Sequence, residues 1–335
     1  MGTLIEPLTN ILIFASILLQ GGFTFHFDNL LLTLFPLMLD LISNSLIMKK
    51  LFSFPFILLL VLLPGCRRKS GSDVVNVMTF NIRYDNPADS INSWPNRASF
   101  VSRFLNDEKP DLIGMQEVMV HQYEYLDSVL TDYSSVGVGR SDGAKKGEMN
   151  PVFFRKNRFD LIRTRTFWLS DSSEVPGTKA WGASLPRIAT WVELSEKTTS
   201  SHFYFFNTHF AHDSDSARTM SSQLLLNKVD SIAAGFPFVL TGDLNMLISS
   251  KGYEILTGPY ESVPMLIDTY AVTEKRPTGP AYTFNGFSDT TSSGRIDYIF
   301  VRNGMEVFEH RTFIKKEHRI YISDHWPVMA TISLK

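Results

Sequence analysis

The chain has 335 residues, of which 44% are hydrophobic, 20% charged and 13% aromatic. This composition excludes a disordered or low-complexity chain and supplies enough apolar material for one large core or two small ones. A formal net charge of −2 excludes a global basic field for nucleic acid, and the single cysteine, Cys66, excludes an internal disulfide.

The first 65 residues differ from the rest. Met48-Lys49-Lys50 is a short positive start, 51–63 is an apolar run, and Pro64-Gly65-Cys66 leads into the polar stretch 67–72. That is the layout of a secretory signal, and the run is short for a spanning helix. Leu63-Pro64-Gly65-Cys66 resembles the lipobox of bacterial lipoproteins, in which the cysteine becomes the lipidated first residue. The expectation is a signal peptide over 48–65, lipidation at Cys66, a short linker over 66–73, and a domain over 74–335 tied to a membrane in the cell envelope, periplasmic or at the cell surface. The bland alternative is an uncleaved anchor helix with an incidental cysteine. Residues 1–47 are apolar but interrupted by His26, Asp28 and Asp40. They read as upstream sequence translated from a misassigned start codon, with an extra membrane segment as the alternative.

In chain order, 74–80 alternates as a strand and ends at Asn81. Ser93-Trp94-Pro95 opens a helix, because proline fits its first turn, and Phe100, Val101, Phe104 and Leu105 recur at helical spacing until Lys109-Pro110 stops it. A short buried strand over 111–115 ends at Gln116-Glu117, and 121–130 reads as a second helix. Strand-like pieces follow at 134–138, 152–155, 161–168, 188–194 and 202–207. A long amphipathic helix spans 213–234, with Met220, Leu224, Leu225 and Val229 on one face. Strands at 238–241 and 295–301 come next. The last, 328–333, is preceded by Pro327, which suits a strand's entrance because it lacks an N–H. Loops at 139–150 and 273–294, rich in Gly, Ser, Thr and Pro, are expected to be the variable ones. No repeat or interior linker divides 74–335, which predicts one α/β domain with two packed sheets and helices outside.

Polar residues recur at the strand ends: Asn81, Glu117, His209, Asp243 with Asn245, Asp297, and Asp324 with His325. Each follows or interrupts an apolar run that must be buried, so each points out of a core edge. One such residue reads as a turn or cap. A series of them at strand ends that share one rim reads as a site. An adjacent Asp and His can divide labour, the carboxylate holding a hard cation and the imidazole moving a proton.

The pieces Met78-Thr79-Phe80-Asn81, Met115-Gln116-Glu117, Asn207-Thr208-His209, Thr241-Gly242-Asp243-Leu244-Asn245, Arg295-Ile296-Asp297-Tyr298 and Ser323-Asp324-His325, in that order, resemble the endonuclease/exonuclease/phosphatase superfamily. The stretches 153–159 and 185–191 look like a bacterial envelope lipoprotein branch of it. The resemblance implies a deoxyribonuclease I-like four-layer α/β sandwich, two mixed β-sheets packed face to face with helices outside, and divalent-metal hydrolysis of phosphate esters. Within it Glu117, with Asn81 and Asp324, is expected to hold Mg²⁺ or Mn²⁺. Asp297 orients His325. His325 contacts the scissile phosphate or acts as general base, and Asp243 is the other candidate base. Asn245 donates to a phosphoryl oxygen, and His209 donates to the phosphate or protonates the leaving group. Phosphoester chemistry asks for such groups, because water must be positioned and developing charge neutralised.

Arg187 reads as a phosphate contact or a structural ion pair, and His212 and Asp213 as cleft lining or a cap on the next helix. Trp181 reads as packing, and 155–158 and 315–319 as solvated loops. The expected partners are a phosphate-ester substrate (small molecule, lipid or nucleic acid) and a membrane; no protein partner is inferred. Three functions fit: a metal-dependent phosphoesterase, which includes the endonuclease alternative; a non-catalytic binding protein on the same scaffold; and an adhesion module. The short basic clusters favour a small or lipid phosphoester over duplex DNA.

Overall fold

The computed structural model describes residues 74–259, 265–291 and 294–334. The expected signal segment, Cys66, the linker and residues 1–47 lie outside the described residues. Among the described residues no helix is long and apolar enough to cross a membrane.

Alternation along each strand sends successive side chains to opposite faces, so a chain of apolar strands buries itself on two sides. One six-stranded sheet runs, in spatial order, β11 (Val307–Thr312), β14 (Val328–Ser333), β1 (Val74–Asn81), β2 (Leu112–Gln116), β4 (Val152–Arg155) and β3 (Tyr133–Val136). The other runs β5 (Phe159–Trp168), β6 (Ile188–Glu196), β7 (His202–His209), β8 (Phe238–Asp243), β10 (Asp297–Arg302) and β9 (Ile267–Asp268). A small hairpin, β12 (Lys316–Glu317) with β13 (Ile320–Tyr321), stands apart.

Each sheet has one parallel pair. β1 and β2 are joined through helix α1 (Trp94–Glu108), and β7 and β8 through α3 (Asp215–Ala233). The shorter helices are α2 (Val120–Val129), α4 (Lys251–Thr257) and α5 (Thr269–Val272). Helix α1 stops where Lys109 turns left-handed, at φ 49°, ahead of Pro110. Helix α3 starts where the Ser214 hydroxyl accepts the Ala217 N–H.

Four layers follow from three cores. Val75, Val77, Leu112, Phe203, Phe205, Val239, Ile299 and Val301 fill the space between the sheets. Met78, Phe80, Ile113 and Met115 pack outward under Phe100, Val101, Phe104 and Leu105 of α1. Phe206, Leu240, Tyr298 and Phe300 pack outward under Leu225, Leu226 and Val229 of α3. The expected α3 stripe is turned slightly: Leu226 is buried, while Leu224 packs only partly against the core.

Toward one end of the sandwich the inter-sheet rows change chemistry. Thr79, Gly114, Gln116, Asn207 and Thr241 follow the apolar residues, and all are buried. Gln116 Nε2 donates to Asn207 Oδ1 at 2.6 Å and to Thr79 Oγ1 at 3.0 Å. Asn207 Nδ2 donates to the carbonyls of Met115 and Pro151 at 2.7 and 2.9 Å. Thr241 Oγ1 reaches Asn207 Oδ1 at 3.2 Å. This clasp bridges the two sheets, and Gly114 leaves room for it: a Cβ there would stand 2.1 Å from Thr241 Oγ1 and 2.6 Å from Asn207 Oδ1.

The structure adds four strands that the alternation did not reveal: the two-residue β9, β12 and β13, and the longer β11. β11 carries charged residues on its outward positions and a register shift between Val307 and Glu309, which hides its period. Gly114→Ala should cost about 1–3 kcal/mol through overpacking and loss of the clasp. Urea unfolding measures it, and a cost below about 0.5 kcal/mol would show that the sheets part freely there.

Candidate active site at the strand ends

The polar rows end at one rim. Asn81 closes β1, and Glu117 follows β2. His209, Asp243 and Asp297 lie side by side across β7, β8 and β10, with His209 paired to Asp243 and Asp243 to Asp297. Because β14 runs antiparallel to β1, the Asp324-His325 segment ahead of it arrives beside Asn81. Arg83, Glu117 and Asn245 take left-handed φ values of 60°, 60° and 49°. For Glu and Arg this conformation costs about 1–3 kcal/mol each, and here it turns the chain back over the rim.

Glu117, His209, Asp243, Asn245, Asp324 and His325 line a cleft of about 640 Å³ together with Arg83, Tyr84, Glu148, Leu185, Arg187 and His212. Asp243 is its centre. Its Oδ2 accepts from Asn81 Nδ2 at 2.9 Å and lies 3.5 Å from His209 Nε2 and 3.7 Å from His325 Nε2. Its Oδ1 accepts the Asn245 N–H at 2.9 Å. Asn81 Nδ2 also donates to Glu117 Oε1 at 3.1 Å, and its own oxygen accepts the Arg83 N–H at 3.0 Å. Asn81 therefore organises the carboxylates with its amide N–H rather than offering its oxygen.

His325 Nδ1 pairs with Asp297 Oδ2 at 2.8 Å, and the ring of Phe284 stands edge-on to it at 5.1 Å. Burial alone would lower the His325 pKa; the carboxylates of Asp297 and Asp243 outweigh it and hold the imidazole well above its ordinary value. His209 is the reverse case. Burial first, then Arg187 and Arg140, holds it well below, so it is neutral. Its Nε2 accepts from Asn245 Nδ2 at 3.0 Å, which leaves the proton on Nδ1, 3.9 Å from Glu148 Oε2.

The cleft has two electrostatic ends. At one, Arg83 pairs with Asp89 at 2.9 Å and stands 3.8 Å from Glu117 and 3.7 Å from Asp324. At the other, Arg140 grips both Glu148 oxygens at 2.8 Å, and Arg187 Nη2 meets His212 Nδ1 at 3.0 Å. Arg187 Nε and Nη1 are buried without a hydrogen-bond partner among the described residues.

Every sequence-predicted site residue within the described part reaches this cleft: Asn81 and Asp297 through hydrogen bonds to its lining, the others as lining residues. Asp213 instead accepts from Ser184 outside the lining. Sequence reading missed Arg83, Arg140 and Glu148. Arg83 lies two residues past Asn81, a signal that was available. Arg140 and Glu148 sit in a loop whose only sequence mark was its composition.

The residues fit a hard divalent cation. Glu117, Asp243, Asp297 and Asp324 concentrate negative charge, and one ligand atom each from Glu117, His209 and Asp243 lie within 4.8 Å of one another. Burial, then the Asp297 carboxylate, pushes the Asp243 pKa up to about 7, and burial pushes Asp324 up to about 6. The nearby cations, His325 and Arg83, offset only part of that negative charge, and oxygen donors of this kind suit Mg²⁺.

Comparison with known proteins assigns the family. The pattern of the Endonuclease/Exonuclease/phosphatase family matches residues 78–325. An endonuclease/exonuclease/phosphatase from Bacteroides vulgatus is 37% identical, with a TM-score of 0.74, over 78% of this chain and 99% of its own. A mannosyl-6-phosphatase from Bacteroides thetaiotaomicron is 32% identical, with a TM-score of 0.71, over 77% of this chain and 99% of its own. An uncharacterized protein of Acanthamoeba polyphaga mimivirus is 26% identical over 72% of this chain and 92% of its own.

A stability measurement follows from the raised carboxyl pKa values. Folded Asp243 and Asp324 bind protons more tightly than the unfolded chain does. Their contribution is therefore full below the unfolded value of 3.8 and is lost as pH rises through about 6 to about 7. In chelator the melting temperature should fall over that window, and Mg²⁺ should restore it most at the upper end. Asp243→Asn should raise the chelated melting point at pH about 8, above the window where the buried charge costs stability. Glu117→Gln should remove most of the Mg²⁺ effect. An Mg²⁺ effect independent of pH and retained in Glu117→Gln would contradict this assignment.

Proposed function

We propose, for a chain that belongs to the endonuclease/exonuclease/phosphatase family and has its deoxyribonuclease I-like fold, the activity of a divalent-metal-dependent phosphoesterase acting on small or lipid-borne phosphate esters. The observation that carries the reading is the convergence of His209, Asp243 and Asp297 from one sheet with Asn81, Glu117 and the Asp324-His325 segment of the other. A non-catalytic scaffold has no need of that convergence.

Glu117 and Asp324 would hold Mg²⁺, with Asn81 fixing Glu117. Bound there, the ion supplies charge neutralisation at the phosphoryl oxygens. Asp243 is placed to receive a proton from the attacking water, since one oxygen is fixed by the Asn245 N–H and the other faces two imidazoles. As the water oxygen bonds to phosphorus, the bond to the leaving oxygen breaks. His325, held at Nδ1 by Asp297, presents Nε2–H to a phosphoryl oxygen. On the other side of Asp243, the His209 Nδ1–H is the donor left for a second oxygen or the leaving group, because the Asn245 amide donates to His209 Nε2 and to the Phe210 carbonyl at 3.0 and 3.1 Å. Arg187 and His212, at the cationic end, take the remaining phosphate charge, because a guanidinium with unpaired N–H groups is suited to a phosphate's planar edge.

The substrate class rests on three supports. The cleft is about 640 Å³ and bounded by Leu185, Arg187 and Glu148. The chain carries a net charge of −2. The 32% identical relative is a mannosyl-6-phosphatase. The same proposal puts the domain outside the cytoplasm, lipidated at Cys66, on the strength of the 48–72 sequence alone.

His325→Ala and His209→Ala should each lower the turnover number by about 10²-fold or more on a good substrate. Side-by-side rates at physiological salt should place sugar phosphates or phospholipids above duplex DNA. A clear preference for duplex DNA would put the endonuclease reading first, and hydrolysis of nothing in a panel of mono- and diesters would favour the binding protein. Cys66→Ser should move the native protein from the membrane to the soluble fraction, and continued membrane residence would overturn the lipid anchor.

A further inference from the structure

Arg97 is the anomaly beneath the cleft. It sits on the first turns of α1 and is completely buried. No carboxylate lies within ion-pair distance of it among the described residues. A buried charge without a counter-ion is costly unless its donors are all met. Here carbonyls meet them: Nε donates to Asn92 O at 2.5 Å, Nη1 to Ile82 O at 2.7 Å and to Ile322 O at 2.9 Å, and Nη2 to Arg83 O at 3.3 Å. The rings of Trp94 and Phe287 stand 5.6 and 5.9 Å from the guanidinium.

Three of the four carbonyls, those of Ile82, Arg83 and Ile322, belong to segments that leave the rim. Ile82 and Arg83 follow Asn81, and Ile322 precedes Ser323-Asp324. Ser323 Oγ in turn donates to Asn81 O at 2.7 Å. Arg83 is where the chain bends left-handed, and its carbonyl is gripped a second time, by Gln122 Nε2 at 3.0 Å. One planar fork therefore joins the segment carrying Asn81 and Arg83 to the segment carrying Asp324.

We propose that Arg97 is the positioning residue of the cation end of the cleft: it acts through backbone carbonyls to set the separation of Asp324 from the Asn81–Glu117 pair, and so the affinity of the site for a divalent cation. It touches neither substrate nor ion. Lysine cannot replace it, because a single ammonium cannot span three chain segments in the fixed geometry of a guanidinium. The proposal rests on the metal reading above, and the test separates the two.

Arg97→Lys keeps the charge and loses the fork. Mg²⁺ and Mn²⁺ binding to the full chain is measured by calorimetry, which needs no substrate. The wild-type protein should bind; failure of the wild type to bind either ion overturns both the metal reading and this inference. Given wild-type binding, Arg97→Lys should weaken it by about 10-fold or more, the range seen when support behind metal ligands is removed. At saturating metal its turnover should recover to near wild type, which a general loss of fold would not allow. A folded Arg97→Lys with wild-type metal affinity overturns the inference and leaves the function standing. Should the variant not fold, the wild type decides: Mg²⁺ should slow solvent exchange of the Arg97 Nη hydrogens, which bond Ile82, Ile322 and Arg83, and exchange indifferent to Mg²⁺ overturns the inference.

Discussion

The fold depends on a hydrogen bond between two neutral amides in the space between the sheets. Gln116 Nε2 and Asn207 Oδ1 meet at 2.6 Å where purely apolar packing would leave the sheets free to slide. Apolar contact is non-directional and tolerates a shift of register. A buried amide pair does not, because any slip leaves donors and acceptors unmet. The clasp lies one residue before Glu117 and two before His209, and Thr241 ties in two before Asp243. The same bond that fixes the sheets thus fixes the distance between the two halves of the site.

Above the clasp the inter-sheet rows become charged. Each inward row reads as a gradient: Val75, Val77, Thr79, Asn81 on β1; Phe203, Phe205, Asn207, His209 on β7; Val239, Thr241, Asp243 on β8. Apolar residues at one end supply stability, neutral polar ones hold register, and titratable ones face the cleft. The carboxylates would repel one another if left alone. Arg83 and the His325 imidazolium offset part of that repulsion, and the remainder makes a cation welcome. At the opposite end, Arg140 and Arg187 exceed Glu148 in positive charge and make an anion welcome. Under the proposed function, a phosphate ester bound with its metal would satisfy both ends.

Much of this was legible in the sequence, for a physical reason. A polar residue that follows or interrupts a buried apolar run at a strand's end points out of a core edge. That pattern, with the ordered motifs, led to Asn81, Glu117, His209, Asp243, Asp297 and His325. The limits are equally physical. β11 is an edge strand whose register shift erases its alternation. Glu148 and Arg140 come from an irregular loop, where no period links residue to position. Arg97 was invisible because an arginine on an amphipathic helix reads as surface, and only the carbonyls converging on it in three dimensions mark it as buried.

The central claim is that the two sheets together build one cation–phosphate site. Crystals grown with Mn²⁺ and inorganic phosphate, with the ion located by anomalous scattering, test it most directly. The account predicts Mn²⁺ bound by Glu117 with Asp324 adjacent, and phosphate lying between His325, His209 and Arg187. Mn²⁺ found only away from Glu117, or phosphate bound with no contact to either histidine, would contradict it.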